Sequence, residues 1–347
     1  MKLTIRIGRR TCLATLVCLG LFGRASLRAE EWSGEVIPLD PKTGREHPPV
    51  VTALALDPSG RFAAIGGDDH WVRIYDLDER RVVRQLTDHT DWVRTLRYSP
   101  DGNYLVTSGN DRRVIVWDPA TGEKKREYSE LSHVVTSVVF SHDGKLVGVV
   151  GFGDRLRLID GTTGDLIREY KCPTSDMRTV AFSQDDGLIV GGGRNGTVRV
   201  WNSLDGAVVG EFSAHTQRIR DLAFSPDGAL LATCGEDRRV MVWRTNGELA
   251  AELPRQGAKV MALVFYGPDQ LATSGSDNLI QIWDLNTKEK LATLAGHTGT
   301  VASLAVAQNV LVSASYDTTL RVWRPKTSFV NGISDRNQAF RVPADTR

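Results

Sequence analysis

A bulky, mostly aromatic anchor returns through this chain at near-constant intervals. Tyr75, Trp117, Ile159, Trp201, Trp243, Trp283 and Trp323 are separated by 42, 42, 42, 42, 40 and 40 residues. An Asp or Asn stands six residues ahead of the anchor at Asp69, Asp111, Asn195, Asp237, Asp277 and Asp317. A His leads several of the repeats, at His47, His89, His215 and His297. Three markers held in phase define seven repeats. A period of this length means one supersecondary unit per repeat, which buries its apolar surface only by stacking on its neighbours.

The pattern inside a repeat is that of short strands. Val93 to Tyr98 alternates as a half-buried strand does. Ser99-Pro100-Asp101-Gly102 then makes a tight turn, with Pro presetting φ and Gly supplying positive φ. Tyr104 to Ser108, Val114 to Trp117 and Lys125 to Tyr128 supply three more strands, separated by turn residues. The first turn returns at Asp57-Pro58-Ser59-Gly60, Ser141-His142-Asp143-Gly144 and Ser225-Pro226-Asp227-Gly228. It shortens to Gly267-Pro268-Asp269 and Gln308-Asn309, which accounts for the last two spacings of 40. Long helical patterns are absent. Four antiparallel strands per repeat make a sheet that cannot bury both faces alone, and radial stacking of such sheets does so while leaving short edges.

On these residues the chain resembles the WD40-repeat β-propeller family over roughly residues 47–325. The signature dipeptide stands as Trp117-Asp118 and Trp283-Asp284, with Tyr75-Asp76, Ile159-Asp160, Trp201-Asn202, Trp243-Arg244 and Trp323-Arg324 as variants. The resemblance implies an all-β, seven-bladed propeller of four-stranded antiparallel blades. It also implies that an N-terminal strand completes the last blade, a role assigned to Trp32–Asp40 within residues 30–46. Residues 326–347 are then a C-terminal tail.

His, Ser/Thr and Asp recurring together could be taken for a hydrolase triad. The sets are His89, Thr107, Asp111 and Trp117; His215, Thr233, Asp237 and Trp243; and His297, Ser313, Asp317 and Trp323. In the family such sets are structural: Asp fixes the His tautomer, His bonds the hydroxyl, and the indole N–H donates to it. Three copies in one chain fit architecture, since catalysis needs one. The first repeat keeps His47 and Asp69 without the hydroxyl. The third retains none of the four, and the fourth and sixth are incomplete, so blades three and four are expected to be the softest.

Gly191, Gly193 and Gly196 fit G-x-G-x-x-G literally, but Thr197 to Trp201 alternates as a strand and offers no helix to receive phosphate, so the glycines are read as a tight turn. Asp68, Asp69 and His70 are too few for a metal once Asp69 serves the repeat. No catalytic residue, metal or cofactor is therefore assigned.

Residues 1–29 open with Lys2, Arg6, Arg9 and Arg10, continue with the short apolar run from Thr11 to Phe22, and end in small residues at Ala29. That order is the pattern of a secretory signal, too short to span a bilayer. Export to the periplasm or the cell exterior is expected. Without these residues, 37 Lys and Arg face 42 Asp and Glu, a net charge of −5, which disfavours nucleic-acid partners. Cys172 and Cys234 would then be the only cysteines, no disulfide framework. The expected molecule is a monomer without a membrane span.

The resemblance also implies a docking face at the narrower end of the ring, read by three positions per repeat. Those positions carry Trp92, Arg94, Phe152, Arg178, Arg194, Arg218, Arg220, Lys259 and Tyr316. Tyr, Trp and Arg dominate binding energies, and guanidinium forks suit carboxylates. A protein partner bearing an acidic segment is the expected ligand. Local neutralisation of these Arg by Asp176, Asp221 and Glu236 is the competing expectation. The alternative function is an enzyme or small-ligand propeller with a site in its central channel.

Overall fold

The computed structural model describes residues 32–40, 46–129 and 131–326. Their strands form seven four-stranded sheets. Each sheet is an antiparallel meander. In the second, β6 (Val93–Tyr98), β7 (Leu105–Gly109), β8 (Val114–Trp117) and β9 (Lys124–Tyr128) lie side by side in chain order. The seven-bladed propeller implied by the repeat is the fold of this chain.

The recurrent turn has a local cause. The Gly102 N–H donates to Ser99 O at 2.9 Å, and Gly102 sits at φ 74°, where a side chain is unfavourable. Asp186 takes this place in the fourth blade at φ 57°. Its carboxylate offsets the strain by accepting the backbone N–H groups of His142 and Asp143 from the blade before, at 2.8 and 2.9 Å. The shortened turn at Gln308-Asn309 puts both residues at positive φ, as a two-residue hairpin between twisted strands requires.

Alternation along the strands gives every blade two apolar faces, and seven hydrophobic clusters result, one between each pair of neighbouring blades. Between the first and second blades, Ala64, Val72, Ile74 and Leu86 meet Val93, Leu96, Leu105, Ile115 and Trp117. Each large side chain so buried contributes roughly 1.5–3 kcal/mol. Cys172 and Cys234 are free, buried thiols within this packing. Burial pushes the Cys172 thiol up to about 12, so both behave as small hydrophobes.

The ring closes through β1 (Trp32–Pro38), which pairs antiparallel with β28 (Thr319–Pro325) from Trp32↔Pro325 to Pro38↔Thr319. The last blade has the order β1-β28-β27-β26, with β26 (Val301–Ala307) innermost and β27 (Val310–Ser315) between. Ile37 and Leu39 are buried in the cluster joining the last blade to the first. The stretches read as a leader, 1–29, and as a tail, 326–347 apart from Lys326, lie outside the described residues. Gly191 and Gly193 are not in a turn: they belong to β15 (Leu188–Gly193), and only Gly196, at φ 75°, turns the chain. A strand alternation that contains glycine carries no local signal to separate the two.

Candidate functional site at the channel mouth

The innermost strands line a central channel, and one irregularity recurs on all seven. In β6, Val93 faces Gly109 while Thr95 faces Ser108, so Arg94 has no residue opposite. The same slip leaves Thr52, Thr136, Arg178, Arg220, Met261 and Ala302 unopposed. A bulge bends the strand and re-aims its extra residue. Here all seven bulge residues line a cavity of ≈ 570 Å³ along the axis.

The other two positions of each repeat are tied to one another. The Asn110 N–H donates to Trp92 O at 2.9 Å, Phe152 to Val134 O at 3.0 Å, Arg194 to Asp176 O at 2.9 Å and Glu236 to Arg218 O at 2.9 Å. Ser276 and Tyr316 bond Lys259 O and Thr300 O, each at 3.0 Å. The three positions therefore form one small patch per blade. Trp92, Phe152 and Tyr316 are 38%, 39% and 43% exposed, well above the buried anchor aromatics. The Arg94 guanidinium lies over the Trp92 ring at 5.2 Å, with its Nε donating to Asn110 Oδ1 at 2.8 Å. Arg178 lies over Phe152 at 4.7 Å.

The cations of blades four to six share two carboxylates. Asp176 meets Arg178 at 2.6 Å and Arg218 at 3.1 Å. Glu236 meets Arg218 at 3.0 Å, Arg220 at 3.5 Å and Lys259 at 3.0 Å. Burial opposes ionisation of Glu236, but hydrogen bonds from Lys259 and Arg218 outweigh it and hold its carboxyl low. Arg194 is exposed and has no carboxylate partner among the described residues. Arg178, Arg194, Arg218, Arg220 and Lys259 thus exceed Asp176 and Glu236 in charge. Asp221 does not join them. It lies in the channel wall, where its carboxylate accepts the N–H groups of Leu222 and Leu263 at 2.9 and 3.1 Å and the Thr179 hydroxyl at 3.4 Å.

Sequence reasoning missed Arg97. It sits three residues beyond Arg94 on β6 and lines the channel. The matching residues of the other blades are Ala55, Val139, Ala181, Ala223, Val264 and Ala305, so one charge at an otherwise apolar repeat position was the available signal.

The three His-hydroxyl-Asp-Trp sets each come together behind this face. His89 Nδ1 lies 2.6 Å from Asp111 and Nε2 2.7 Å from the Thr107 hydroxyl, which accepts Trp117 Nε1–H at 2.8 Å. His215 meets Asp237 at 2.9 Å and Thr233 at 3.0 Å, with Trp243 donating to Thr233 at 3.1 Å. His297 meets Asp317 at 2.8 Å and Ser313 at 2.7 Å, with Trp323 donating to Ser313 at 2.9 Å. An Nδ1–H donated to the carboxylate leaves Nε2 to accept the hydroxyl, so every group is satisfied. All three imidazoles are buried. The first blade differs: His47 is exposed, and Asp69 instead forms a buried ion pair with Arg73 at 2.6 Å.

Six stretches of the chain match the family described as WD domain, G-beta repeat: residues 41–76, 80–118, 164–202, 206–244, 247–284 and 288–324. They cover well over half of the sequence. The chain belongs to the WD40 family. The unmatched interval 119–163 holds the first three strands of the third blade, the one lacking the whole His-hydroxyl-Asp-Trp set. WD40 propellers act in general as non-catalytic platforms for protein partners.

Curated relatives match it over short stretches. Mitochondrial division protein 1 of Pyricularia oryzae is 33% identical over 96 residues, 25% of this chain and 14% of the relative. Pre-mRNA-processing factor 19 of Mus musculus is 36% identical over 74 residues, 20% and 15% of the two chains. U3 snoRNP-associated protein-like EMB2271 of Arabidopsis thaliana is 42% identical over 55 residues, 15% and 12%. This WD40 chain therefore spans less than a sixth of each relative. Their names belong to processes inside the cell, which overturns the expectation of export to the periplasm or exterior. That expectation rested on the basic-apolar-small order of residues 1–29 alone. Among the described residues no helix is long and apolar enough to cross a membrane.

Proposed function

We propose that this WD40 propeller is a monomeric, non-catalytic platform that docks an acidic segment of a protein partner on its channel-mouth face. The observation that carries the reading is the imbalance between five cations and two carboxylates on blades four to six, beside exposed Trp92, Phe152 and Tyr316. Guanidinium groups pair with carboxylates through two parallel hydrogen bonds, and aromatics contribute rigid contact area. Arg194 is free to do so, and Arg218 has exchangeable partners. Complementary charge also speeds encounter, so binding weakens as salt rises.

The test is fluorescence anisotropy with a labelled Glu-rich peptide. Arg194→Glu combined with Lys259→Gln removes rim charge without opening the Arg178–Asp176 pair. The expected loss of affinity is about tenfold, equivalent to roughly 1.4 kcal/mol, with an unchanged melting temperature. Equal affinity of parent and variant at every salt concentration would place the docking surface elsewhere.

A further inference from the structure

The channel has a charge pattern of its own. Arg94, Arg178 and Arg220 are bulge residues at its mouth, and Arg97 lies one step deeper. Thr52, Thr95, Thr136, Ser137, Thr179 and Ser303 also line it. Among the described residues Asp221 is the one carboxylate that lines this cavity, and its hydrogen bonds to Leu222, Leu263 and Thr179 occupy it. Arg97 has no carboxylate within ion-pair distance among the described residues, and its Nη1 bonds only Leu96 O, at 2.9 Å. Arg97 and Asp221 stand three blades apart, on opposite sides of the axis, and feel each other's charge. The surrounding channel wall lowers the Arg97 pKa and the charge of Asp221 across the axis partly restores it.

Arg97 is itself exposed, facing the channel it lines with no carboxylate partner among the described residues, and low-dielectric walls focus its field on whatever enters. A volume of ≈ 570 Å³ suits a small molecule, within the range of about 300–1,000 Å³ for such sites. We propose that the central channel binds a small multivalent oxyanion, a molecule with two or more carboxylate or phosphate groups, one held by Arg97 in the interior and another by Arg94, Arg178 and Arg220 at the mouth. This site shares Arg178 and Arg220 with the face proposed for peptide docking, whereas Arg97 belongs to the channel alone and Arg194 and Lys259 to the rim alone.

Isothermal titration calorimetry of the whole chain with citrate and with inorganic pyrophosphate tests the proposal, with acetate as the monovalent control. Saturable binding of one equivalent of citrate or pyrophosphate, and none of acetate, is expected. Preference for pyrophosphate identifies a phosphate ester as the natural class, and preference for citrate a polycarboxylate. Arg97→Gln should weaken the preferred anion at least tenfold, Arg97→Lys should weaken it less, and Arg194→Glu should leave it unchanged. Arg94→Gln is a second channel variant should Arg97→Gln not fold, and at least a threefold loss is expected of it. Absence of saturable binding of both probes at millimolar concentration overturns the proposal, as does unchanged affinity in the channel variants. The Glu-rich peptide should bind Arg97→Gln as it binds the parent, so either reading can fail without the other.

Discussion

Trp201 and Trp283 occupy the same repeat position and are both buried, yet their indoles are treated differently. Trp283 Nε1–H donates to the Thr273 hydroxyl at 3.0 Å. Trp201 Nε1 has no partner among the described residues, because Gly191 stands where Thr273 would supply the hydroxyl. Gly191 is held in place by crowding, since a Cβ there would come within 2.8 Å of Met177 Cε and 3.3 Å of the Trp201 ring. Replacement of either Trp by Phe removes similar ring volume, so the difference between them isolates one hydrogen bond. Trp283→Phe should cost about 1 kcal/mol more than Trp201→Phe, read from urea unfolding of both variants. Equal losses would show that the indole bond contributes nothing to stability. The periodic anchors were readable from spacing alone. The exchange of partners at Asp69 was not, because Arg73 lies on the third strand of its blade and meets Asp69 only once that strand is in place.

At the scale of the strand, closure is the most exposed commitment of the fold. Without β1, β28 would present an unpaired edge, a liability for pairing and proteolysis. Gly34 shows how tightly the two strands fit: a Cβ there would lie 2.6 Å from the Trp323 ring. Gly34→Val should therefore overpack the joint and cost about 1–3 kcal/mol. That corresponds to a melting temperature lower by roughly 2–10 °C, and limited proteolysis should cut first within β26 to β28. A variant that melts with the parent would show that closure does not limit stability. Strand identity was legible from alternation and turn residues. The seven bulges were not, since a bulge is a property of two paired strands and leaves a single sequence looking regular.

Across the whole molecule, the three buried His-Asp pairs predict an acid response. Burial opposes ionisation of Asp317, but hydrogen bonds from Thr319, the Thr298 N–H and His297 outweigh it and hold the carboxyl at about 2. Asp111 and Asp237 are lowered in the same way. A carboxyl held below its unfolded value of 3.8 binds fewer protons folded than unfolded. Its contribution is present above about pH 4 and is lost as pH falls toward 2. Burial also lowers His297, so part of its contribution is already lost as pH falls below 6.5. Melting temperature should hold level above neutrality, decline gently below pH 6.5 and fall steeply below pH 4. Asp317→Asn should start lower and show a shallower acid limb. An acid limb of unchanged slope in that variant would remove Asp317 from the account.

The sequence by itself determined the repeat, the strand content, the blade number and the partners of three buried networks. Each follows from local alternation, from turn chemistry or from spacing, which survive without knowledge of pairing. The tertiary structure decided where the charges go. Asp176 and Glu236 answer the rim arginines, whereas Asp221 turns to the backbone of the next blade, a choice made by register across blades 42 residues apart. It also placed Arg97 across the axis from Asp221, because a closed ring brings distant repeats to one channel and the spacing of residues along a chain contains no such distance.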